Sequence, residues 1–376
     1  MRVVHVFSAL FQGGAESQLE RIIFSSDKSI EHVVISLKSV DTPLVRRLRL
    51  SGVQVFMCNM QGPLSFAGLL KLRRVIKKLS GPIMILQCWM YHANFAGWLA
   101  TIGFSCPIFW NIRRTLPPSG VTGKLSKICG FISKLSRVKI FCNSFSGIES
   151  HVISGYRRDS FIYAPNGFYS NEFSTSLALC EDIGVSKTEI NVVCVGRYDP
   201  IKGHRFLIEA FALQEDMLPT EIWSRLKLYF VGREIENAKD VQAALNKARL
   251  DGKVKFLGER KDIKRILHCF DIFCLPSLSE GFPNVLVEAM LAGLPCVATN
   301  VGDTARILRS EEFVSEPGDS AVMAEKLRSL IVAGESFRLN VGENNKGLVL
   351  ERYTMEKALA CYESYYRASI SAGSVS

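Results

Sequence analysis

Two successive series of short β-branched segments, each alternating with helical patterns, constrain the fold of this chain more than any other feature. The first half contains six strand-like segments: Val3–Phe7, Val33–Leu37, Val53–Cys58, Ile83–Cys88, Ile108–Ile112 and Val138–Cys142. The second half contains five: Asn191–Val195, Lys227–Val231, Val254–Leu257, Ile272–Leu275 and Pro295–Thr299. Strands that alternate with helices form parallel, doubly wound sheets. The sequence therefore predicts an α/β protein with two Rossmann-like units, whose ligand binds where the strands' carboxyl ends face an interdomain cleft.

The length of 376 residues also favours two domains, because it is long for a single hydrophobic core. The join is predicted within 173–187, a polar stretch that follows the turn at 165–167. We therefore assign residues 1–172 and 173–354 to the two domains. Apolar residues at helical spacing predict a closing helix over 355–369, followed by a frayed C-terminus over 371–376.

One long uncharged stretch, Ser80–Ile112, raises the question of a membrane span. It exceeds the roughly 20 residues that a spanning helix needs. Polar, glycine and proline residues nevertheless interrupt it. A strand, a helix and a second strand explain the same residues, and we favour that interpretation. The N-terminal apolar run, Val3–Phe7, is too short for a signal peptide and fits a buried first strand.

Eleven cysteines are scattered along the chain without a Cys-x-x-Cys pair. An odd, unpatterned set of this kind is typical of reduced and mostly buried thiols. We therefore expect no zinc site and no disulfide framework.

The net charge of +10 is distributed unevenly. Between Thr42 and Ile148 there is no aspartate or glutamate, while fifteen lysines and arginines fall in the same window. A basic surface of this kind can contact nucleic acid, an anionic membrane or a phosphorylated substrate. Charge alone does not choose among these partners.

An acidic segment follows the predicted strand Ile272–Leu275 and opens a helix. Glu280 lies on the loop, and Glu288 lies just over one turn into the helix. Pro283 suits an early helical position, so the backbone N–H groups near Gly281–Val285 are donors for an anion. Glu288 is then placed to accept from ribose hydroxyls and Glu280 from sugar hydroxyls. Taken alone, two such glutamates favour a plain acidic helix start, stabilised by the helix dipole.

A cationic loop follows the predicted strand Asn191–Val195. The segment Gly196–Gly203 places Arg197 and Lys202 between that strand and the next helix. An arginine fork and a lysine point charge together suit a diphosphate. A solvated basic loop would explain this segment by itself. Two such loops at strand ends of one domain favour an anion site instead.

In combination these segments resemble the retaining GT-B glycosyltransferases of family 4. The shared pattern runs from Asn191 to about Ile307 and comprises six segments: Gly196–Gly203, Val254–Gly258, Asp271–Phe273, Glu280–Glu288, Gly293–Val297 and Val301–Asp303. The resemblance implies two Rossmann-like domains that face a cleft. It also implies that the helix in 355–376 crosses back onto the first domain.

The resemblance implies roles for individual residues. Those matching Arg197 and Lys202 bind the donor diphosphate, the one matching Glu288 binds ribose, and the one matching Glu280 contacts the transferred sugar. On this basis we assign catalysis to Arg197, Lys202 and Glu280. The remaining donor-binding candidates of this domain adjoin Glu280: Gly281, Phe282, Pro283 and Asn284.

The N-terminal half matches the family less closely. Its Gly13–Glu16 segment resembles the family's glycine loop, where Gly14 would allow backbone to approach a phosphate, although a simple strand-to-helix turn explains it equally. Many members carry a histidine after the strand matching Ile108–Ile112, whereas this chain has Arg113 followed by Arg114. Arginine cannot relay a proton, but it can neutralise a phosphate. His92 is a further acceptor-side candidate, although a lone histidine in an apolar helix is more often merely packed.

Retention without an evident nucleophile fits an ion-pair displacement, in which the acceptor attacks from the side of the leaving group. The protein then has to stabilise charge that grows on the departing diphosphate. The chain has no Asp-x-Asp motif of the metal-dependent kind. We therefore expect a metal-independent hexosyltransferase without a cofactor. Its donor is a nucleotide-diphosphate sugar, with uridine diphosphate expected before guanosine diphosphate by family frequency.

Two segments in the acid-free window, Phe66–Leu79 and Val121–Lys139, combine apolar and basic residues at helical spacing. Each could be an ordinary helix with a solvated face, but the missing acid favours interfacial binding. We therefore predict peripheral association with the anionic inner face of the cytoplasmic membrane. The predicted acceptor is a glycan, linked to a lipid diphosphate, in cell-surface polysaccharide synthesis (O-antigen, capsule or exopolysaccharide).

Two other functions remain as alternatives. A sugar-nucleotide epimerase with the GT-B fold would share the nucleotide site, but the continuous Arg-Lys and Glu-x7-Glu pattern argues against it. A nucleic-acid binder would explain the positive charge. It would leave Glu280 and Glu288 unexplained, and the chain has no recognisable nucleic-acid module, so we expect no nucleic-acid partner.

Overall fold

A computed structural model describes residues 1–11, 13–62, 65–81, 83–115, 119–170 and 177–373. The chain divides into two compact units, the first comprising Met1–Gly167 with Met355–Ser376 and the second Phe168–Thr354. The predicted domain boundary at 172/173 lies outside the described residues, as do residues 374–376 of the predicted frayed end.

In the described part of the first unit, seven parallel strands form one sheet in the order β3-β2-β1-β4-β5-β6-β7. Their bounds are β1 Arg2–Phe7, β2 Glu31–Ser36, β3 Gln54–Met57, β4 Met84–Trp89, β5 Ile108–Ile112, β6 Lys139–Cys142 and β7 Phe161–Tyr163. The six strands predicted in this half are confirmed. The short strand β7 was missed, because three residues carry too little periodicity to identify a strand.

Within the described residues, six α-helices connect these strands. Their bounds are α1 Gly14–Ser25, α2 Pro43–Leu50, α3 Phe66–Leu79, α4 Met90–Ala100, α5 Gly120–Leu135 and α6 Phe145–Ile153. Thr42, Ser65 and Ser144 cap α2, α3 and α6, each accepting from a backbone N–H in the first turn. The uncharged stretch forms β4, α4 and β5, as favoured from the sequence. Within the described ranges, no helix is both long and apolar enough to cross a bilayer.

The second unit, as far as its residues are described, has six parallel strands in the order β10-β9-β8-β11-β12-β13. Their bounds are β8 Ile190–Val195, β9 Leu226–Val231, β10 Val254–Phe256, β11 Ile272–Leu275, β12 Cys296–Thr299 and β13 Val314–Ser315. The helices are α7 Leu177–Asp182, α8 His204–Ala212, α9 Gln214–Met217, α10 Thr220–Arg225, α11 Lys239–Ala248, α12 Ile263–Ile266, α13 Asn284–Leu291, α14 Thr304–Leu308, α15 Ser320–Val332 and α16 Glu335–Arg352. All five predicted strands are present.

Apolar side chains cover both faces of the second sheet. Val193, Tyr229 and Phe273 belong to one buried cluster, whereas their chain neighbours Val192 and Ile272 belong to another. Successive strand residues point to opposite faces, so a strand that is apolar throughout must be covered on both sides. The predicted doubly wound α/β fold with two Rossmann-like sheets is confirmed.

The last helix, α17 (Met355–Gly373), returns to the first unit and covers one face of its sheet. Its Tyr362 and Tyr366 rings pack against Phe141 of β6. Asn111 donates a hydrogen bond to the Tyr362 hydroxyl over 2.9 Å. The Tyr366 hydroxyl in turn donates to Gln87 over 3.0 Å, so that two polar side chains of the buried strands gain partners from α17.

One expectation about the cysteines is wrong. Cys180 on α7 and Cys269 after α12 form a buried disulfide, with Cα atoms 5.3 Å apart. The two residues are separated by 89 positions, and no local spacing connects them in the sequence. The other nine cysteines remain as thiols.

The bond between Tyr366 and Gln87 gives a stability test. Tyr366→Phe removes the hydroxyl and leaves the Oε1 atom of Gln87 buried without its donor, so we expect unfolding free energy to fall by ~1–3 kcal/mol. Tyr365→Phe, on the more exposed side of the same helix, should change it by less than about 0.5 kcal/mol. Urea denaturation of both variants measures the difference, and equal losses would contradict the assigned role of the hydroxyl.

Candidate functional site

The order of the second sheet reverses between β8 and β11. Loops that follow adjacent parallel strands on either side of such a reversal diverge and leave a crevice where ligands bind. The cationic segment Gly196–Gly203 follows β8, and the segment containing Glu280 follows β11. Both predicted donor loops therefore lie at the switch point of this sheet.

Lys202 and Glu280 form an ion pair across this switch point. The lysine Nζ lies 2.6 Å from the Oε1 atom of Glu280, and the Ser277 hydroxyl donates to the same oxygen over 2.7 Å. Both charged side chains are largely shielded from solvent. Two residues that are 78 positions apart in sequence, and that were predicted to act together, are therefore in direct contact.

Arg197 lies on the same loop and is more exposed than Lys202. Its Nη2 atom is 3.1 Å from Asp199, which also accepts a hydrogen bond from the Ile201 backbone and so shapes the short 3-10 helix Pro200–Lys202. An exposed ion pair of this kind is weak. The guanidinium can therefore exchange Asp199 for an anionic ligand at little cost.

Gly203 allows the two loops to approach closely. Its φ of +67° is left-handed, and a Cβ atom there would lie 2.0 Å from the Pro276 carbonyl oxygen. The Leu278 N–H also donates to the Ile201 carbonyl over 2.7 Å. Any larger residue at position 203 would push the β8 and β11 loops apart.

A second glycine brings a third loop to the site. Gly302, after β12, has a φ of +59°, and a Cβ there would lie 2.4 Å from the Glu280 carbonyl oxygen and 2.5 Å from that of Gly281. The Asp303 N–H donates to the Gly281 carbonyl over 2.9 Å. The loops that follow β8, β11 and β12, which are neighbouring strands of the sheet, thus hold the backbone of the Glu280 segment in place.

Helix α13 begins at Asn284, with Pro283 as its N-cap residue rather than within the first turn. Asn284 and Glu288 are half-buried, one helical turn apart, whereas Phe282 is buried and packs edge-on against Tyr353 at 5.4 Å. The predicted donor-binding residues of this segment therefore divide into polar groups near the surface and an aromatic ring in the core.

His204 is a residue that the sequence reasoning missed. It is the first residue of α8, buried beside Tyr198 and Phe230. Burial, reinforced by the Lys202 ammonium, lowers the pKa of His204 to about 4. The ring is consequently neutral near pH 7 and adds no positive charge next to Lys202. Its position directly after the Lys-Gly pair was the only signal in the sequence.

The first unit holds a separate cavity of about 540 Å³ at the carboxyl ends of its strands. Three of its lining side chains are ionisable: Glu16, Lys38 and His92. Burial raises the pKa of Glu16. Burial, and then the Lys38 ammonium, lower the pKa of His92. Glu16 and Lys38 were not among the predicted site residues.

The predicted Gly14 is the first residue of α1, beside this cavity. Gly13 precedes it as the N-cap, and a Cβ atom on Gly13 would lie 2.8 Å from an Oε2 atom of Glu16. The carboxylate therefore folds back over the glycine pair. The left-handed backbone of Met90, with a φ of +67°, contributes another wall of the cavity. Such strain in a bulky residue is concentrated at functional sites.

Arg113 and Arg114 have different environments. The Arg113 guanidinium lies over the Trp89 ring at 5.5 Å and bonds to the Asn166 side chain. Its Nε and Nη1 atoms are buried, and no partner for them exists within the described part of the chain. Burial lowers the pKa of Arg113, whereas Arg114 is exposed. A desolvated guanidinium with two unused donors is suited to an anionic ligand.

The segment that builds the switch-point site matches a known family model. Residues 189–332 match the family model described as glycosyl transferases group 1. This segment runs from the start of β8 to the end of α15 and includes Lys202, Glu280 and Gly302. The resemblance recognised from the sequence motifs is confirmed for this segment.

Two curated glycosyltransferase relatives match over less than half of their own length. N-acetyl-alpha-D-glucosaminyl L-malate synthase of Bacillus anthracis is 29% identical over 190 residues, which cover 50% of this chain and 48% of that protein. UDP-Gal:alpha-D-GlcNAc-diphosphoundecaprenol alpha-1,3-galactosyltransferase of Escherichia coli is 29% identical over 154 residues, covering 39% of this chain and 38% of that protein. The chain thus spans about half or less of the length of these two relatives.

Solved structures extend the likeness to the whole fold. HepE from Anabaena, in complex with UDP, matches with a TM-score of 0.85 and 21% identity over 98% of this chain and 100% of that chain. HepE in complex with UDP-glucose gives a TM-score of 0.80 and 22% identity over 97% and 99%. These similarities show that the chain has the GT-B fold.

Gly302 gives a test of how the switch-point site is held together. Gly302→Ala should lower the free energy of unfolding by ~1–2 kcal/mol, because alanine disfavours a left-handed backbone. It should lower that free energy by a further ~1–3 kcal/mol, because the methyl group meets the carbonyl oxygens of Glu280 and Gly281. Gly258→Ala is the matched control, since Gly258 has a φ of +64° in the same unit with no atom within 4 Å of its Cβ position. Urea unfolding measures both variants. Equal losses would show that the close approach does not constrain the loop.

Proposed function

We propose that this chain is a retaining glycosyltransferase that transfers a hexose from a nucleotide-diphosphate sugar to a glycan acceptor. The observation that carries the proposal is the Lys202–Glu280 ion pair at the switch point of the second sheet. It lies inside the segment that matches the glycosyl transferases group 1 model. A cation for a diphosphate and a carboxylate for sugar hydroxyls are thus adjacent, at the place where parallel sheets bind ligands.

The proposed reaction forms a bond from the acceptor oxygen to the anomeric carbon and breaks the bond from that carbon to the diphosphate. The leaving diphosphate takes the electron pair and receives the acceptor's proton. Lys202 and Arg197 stabilise its growing charge, and Glu280 orients the sugar. Glu288 holds the ribose of the nucleotide, in line with the family resemblance. Before the donor binds, Glu280 compensates the charge of Lys202.

We propose a uridine diphosphate sugar as the donor. Support comes from HepE, a structural neighbour solved with UDP and with UDP-glucose. A screen of nucleotide sugars, read out as free nucleotide diphosphate and as transferred sugar, tests this assignment. An isomerised donor without transfer would instead favour the epimerase, for which neither the family match nor the similar proteins provide support.

The proposed acceptor is a glycan linked to a lipid diphosphate, used in cell-surface polysaccharide synthesis at the inner face of the cytoplasmic membrane. The E. coli relative is named for a diphosphoundecaprenol acceptor. In the first unit, the unused donors of Arg113 and the ammonium of Lys38 offer positive charge to such a diphosphate. His92 and Arg114 are further acceptor-side candidates in the same unit.

Substitution of the ion pair tests the catalytic assignment. Lys202→Ala should lower kcat by ~10²–10³, because one preorganised donor to the leaving group is lost. Glu280→Gln should also lower kcat, since the amide retains the shape but not the charge of the carboxylate. Arg205→Ala, an exposed cation on α8, is the control and should retain the full rate. Steady-state kinetics with the donor found in the screen decides. Unchanged rates in both site variants would refute the assigned roles.

Chelation tests whether cations of the protein act in place of a metal. We expect turnover to persist in EDTA, because Arg197 and Lys202 supply positive charge to the diphosphate. Transfer is measured by nucleotide diphosphate release with EDTA and again after added magnesium. Loss of turnover in EDTA with recovery in magnesium would overturn the metal-independent mechanism.

A further inference from the structure

Helix α5 carries two neighbouring apolar stripes, one buried and one exposed. One stripe, formed by Leu125, Cys129 and Ile132, is buried in the core of the first unit. A second stripe faces solvent, with these exposed fractions: Val121 67%, Ile128 45%, Phe131 63% and Leu135 72%. The spacing of seven, three and four residues in this second set places its members on one helical face. A helix whose only task was to cover the sheet would need the first stripe alone.

Lysines accompany the exposed stripe. Lys124, Lys127 and Lys134 are exposed on the same helix, and the described residues offer them no carboxylate partner. The chain has no acidic residue between Thr42 and Ile148, so neither this helix nor its sequence neighbours supply a carboxylate to these lysines. Exposed apolar side chains beside lysines match a surface that is both apolar and anionic.

Helix α3, the other basic amphipathic helix, has a different arrangement. Its large exposed apolar side chains are Phe66 and Leu70. Its Arg73 is engaged within the unit, where it donates to the Ala100 and Ile102 carbonyls over 2.8 Å and lies over the Phe104 ring. The two helices have similar sequence patterns, but α5 exposes more large apolar side chains than α3 does.

We propose that the face of α5 formed by Val121, Ile128, Phe131 and Leu135 docks onto an anionic lipid bilayer. The four side chains enter the boundary between headgroups and acyl chains, while the three lysines contact lipid phosphates. The helix has 16 residues and is about 24 Å long, which suits a helix lying in the interface plane. This proposal deepens the proposed function and rests on it, because it names the surface through which a lipid-linked acceptor is approached.

Vesicle co-sedimentation of the full chain tests the proposal. The vesicles contain phosphatidylcholine alone or an equal mixture with phosphatidylglycerol. We expect binding to the mixed vesicles and a roughly tenfold or larger loss of partitioning in the double variant Ile128→Ser/Phe131→Ser. Lys124→Gln/Lys127→Gln should weaken binding to the mixed vesicles by about fivefold per lysine.

Two matched controls accompany these variants. Phe337→Ser/Leu339→Ser removes a comparably exposed aromatic and aliphatic pair from α16, with exposed fractions of 39% and 60%. Lys239→Gln/Lys247→Gln removes two exposed lysines from α11. Both control variants should partition like the wild type. Partitioning of the α5 variants equal to that of their controls would overturn the proposal.

Two further measurements separate membrane docking from catalysis and from self-association. Donor turnover with a water-soluble acceptor should be unchanged in the α5 variants, so a failure of the transferase assignment and a failure of docking are read separately. Sedimentation velocity tests a second copy of this chain as the occupant of the face. If Ile128→Ser/Phe131→Ser dissociates a dimer while vesicle binding persists, the membrane assignment is wrong.

Discussion

The ion pair between Lys202 and Glu280 joins the loops that follow β8 and β11, and the architecture of the second unit converges on it. A 2.6 Å contact between side chains from separate loops requires the backbones to lie close together. Gly203 and Gly302 meet this requirement, because each occupies a left-handed conformation against a carbonyl oxygen where no Cβ atom fits. Ser277 donates to the carboxylate and fixes its orientation. The sheet order, the two glycines and the ion pair thus all act on the same feature, the close approach of the loops after β8 and β11.

The first unit handles charge differently. Its window of residues 42–148 contains no acid. Arg46 and Arg47 pair with carboxylates outside the window, whereas Arg73 donates to backbone carbonyls. Arg113 is an example of an incompletely paired cation. Its guanidinium lies over Trp89, and two of its nitrogens are buried without a partner in the described ranges. A buried cation that retains its charge without a carboxylate needs an anion from elsewhere. The second unit neutralises its key lysine internally, whereas the first unit leaves its positive charge available.

Helix α5 packs against the core of the first unit and also presents apolar side chains to solvent. Its inner stripe stabilises the first unit, and its outer stripe keeps four apolar side chains in solvent. Burial of such side chains is worth ~1.5–3 kcal/mol each. Covering this exposed row with a binding partner would therefore favour association. The lysines beside it favour an anionic partner and, by repelling one another, disfavour self-association. The helix therefore explains why so basic a window also carries exposed apolar groups.

The sequence determined both parallel sheets, eleven of their thirteen strands and the two donor loops, because these features depend on local periodicity and on residue types at fixed spacings. It did not reveal β7 and β13, which are too short to show a period, or the disulfide between Cys180 and Cys269, whose partners are distant in sequence. Only the tertiary structure decided that Lys202 contacts Glu280, that His204 is buried beside them, and that Glu16 and Lys38 line a cavity of the first unit. The tertiary structure alone also showed that α5 exposes a row of four large apolar side chains, which α3 does not. The physical reason is common to these cases: contact and exposure depend on what packs against a residue, and that partner comes from a remote part of the chain.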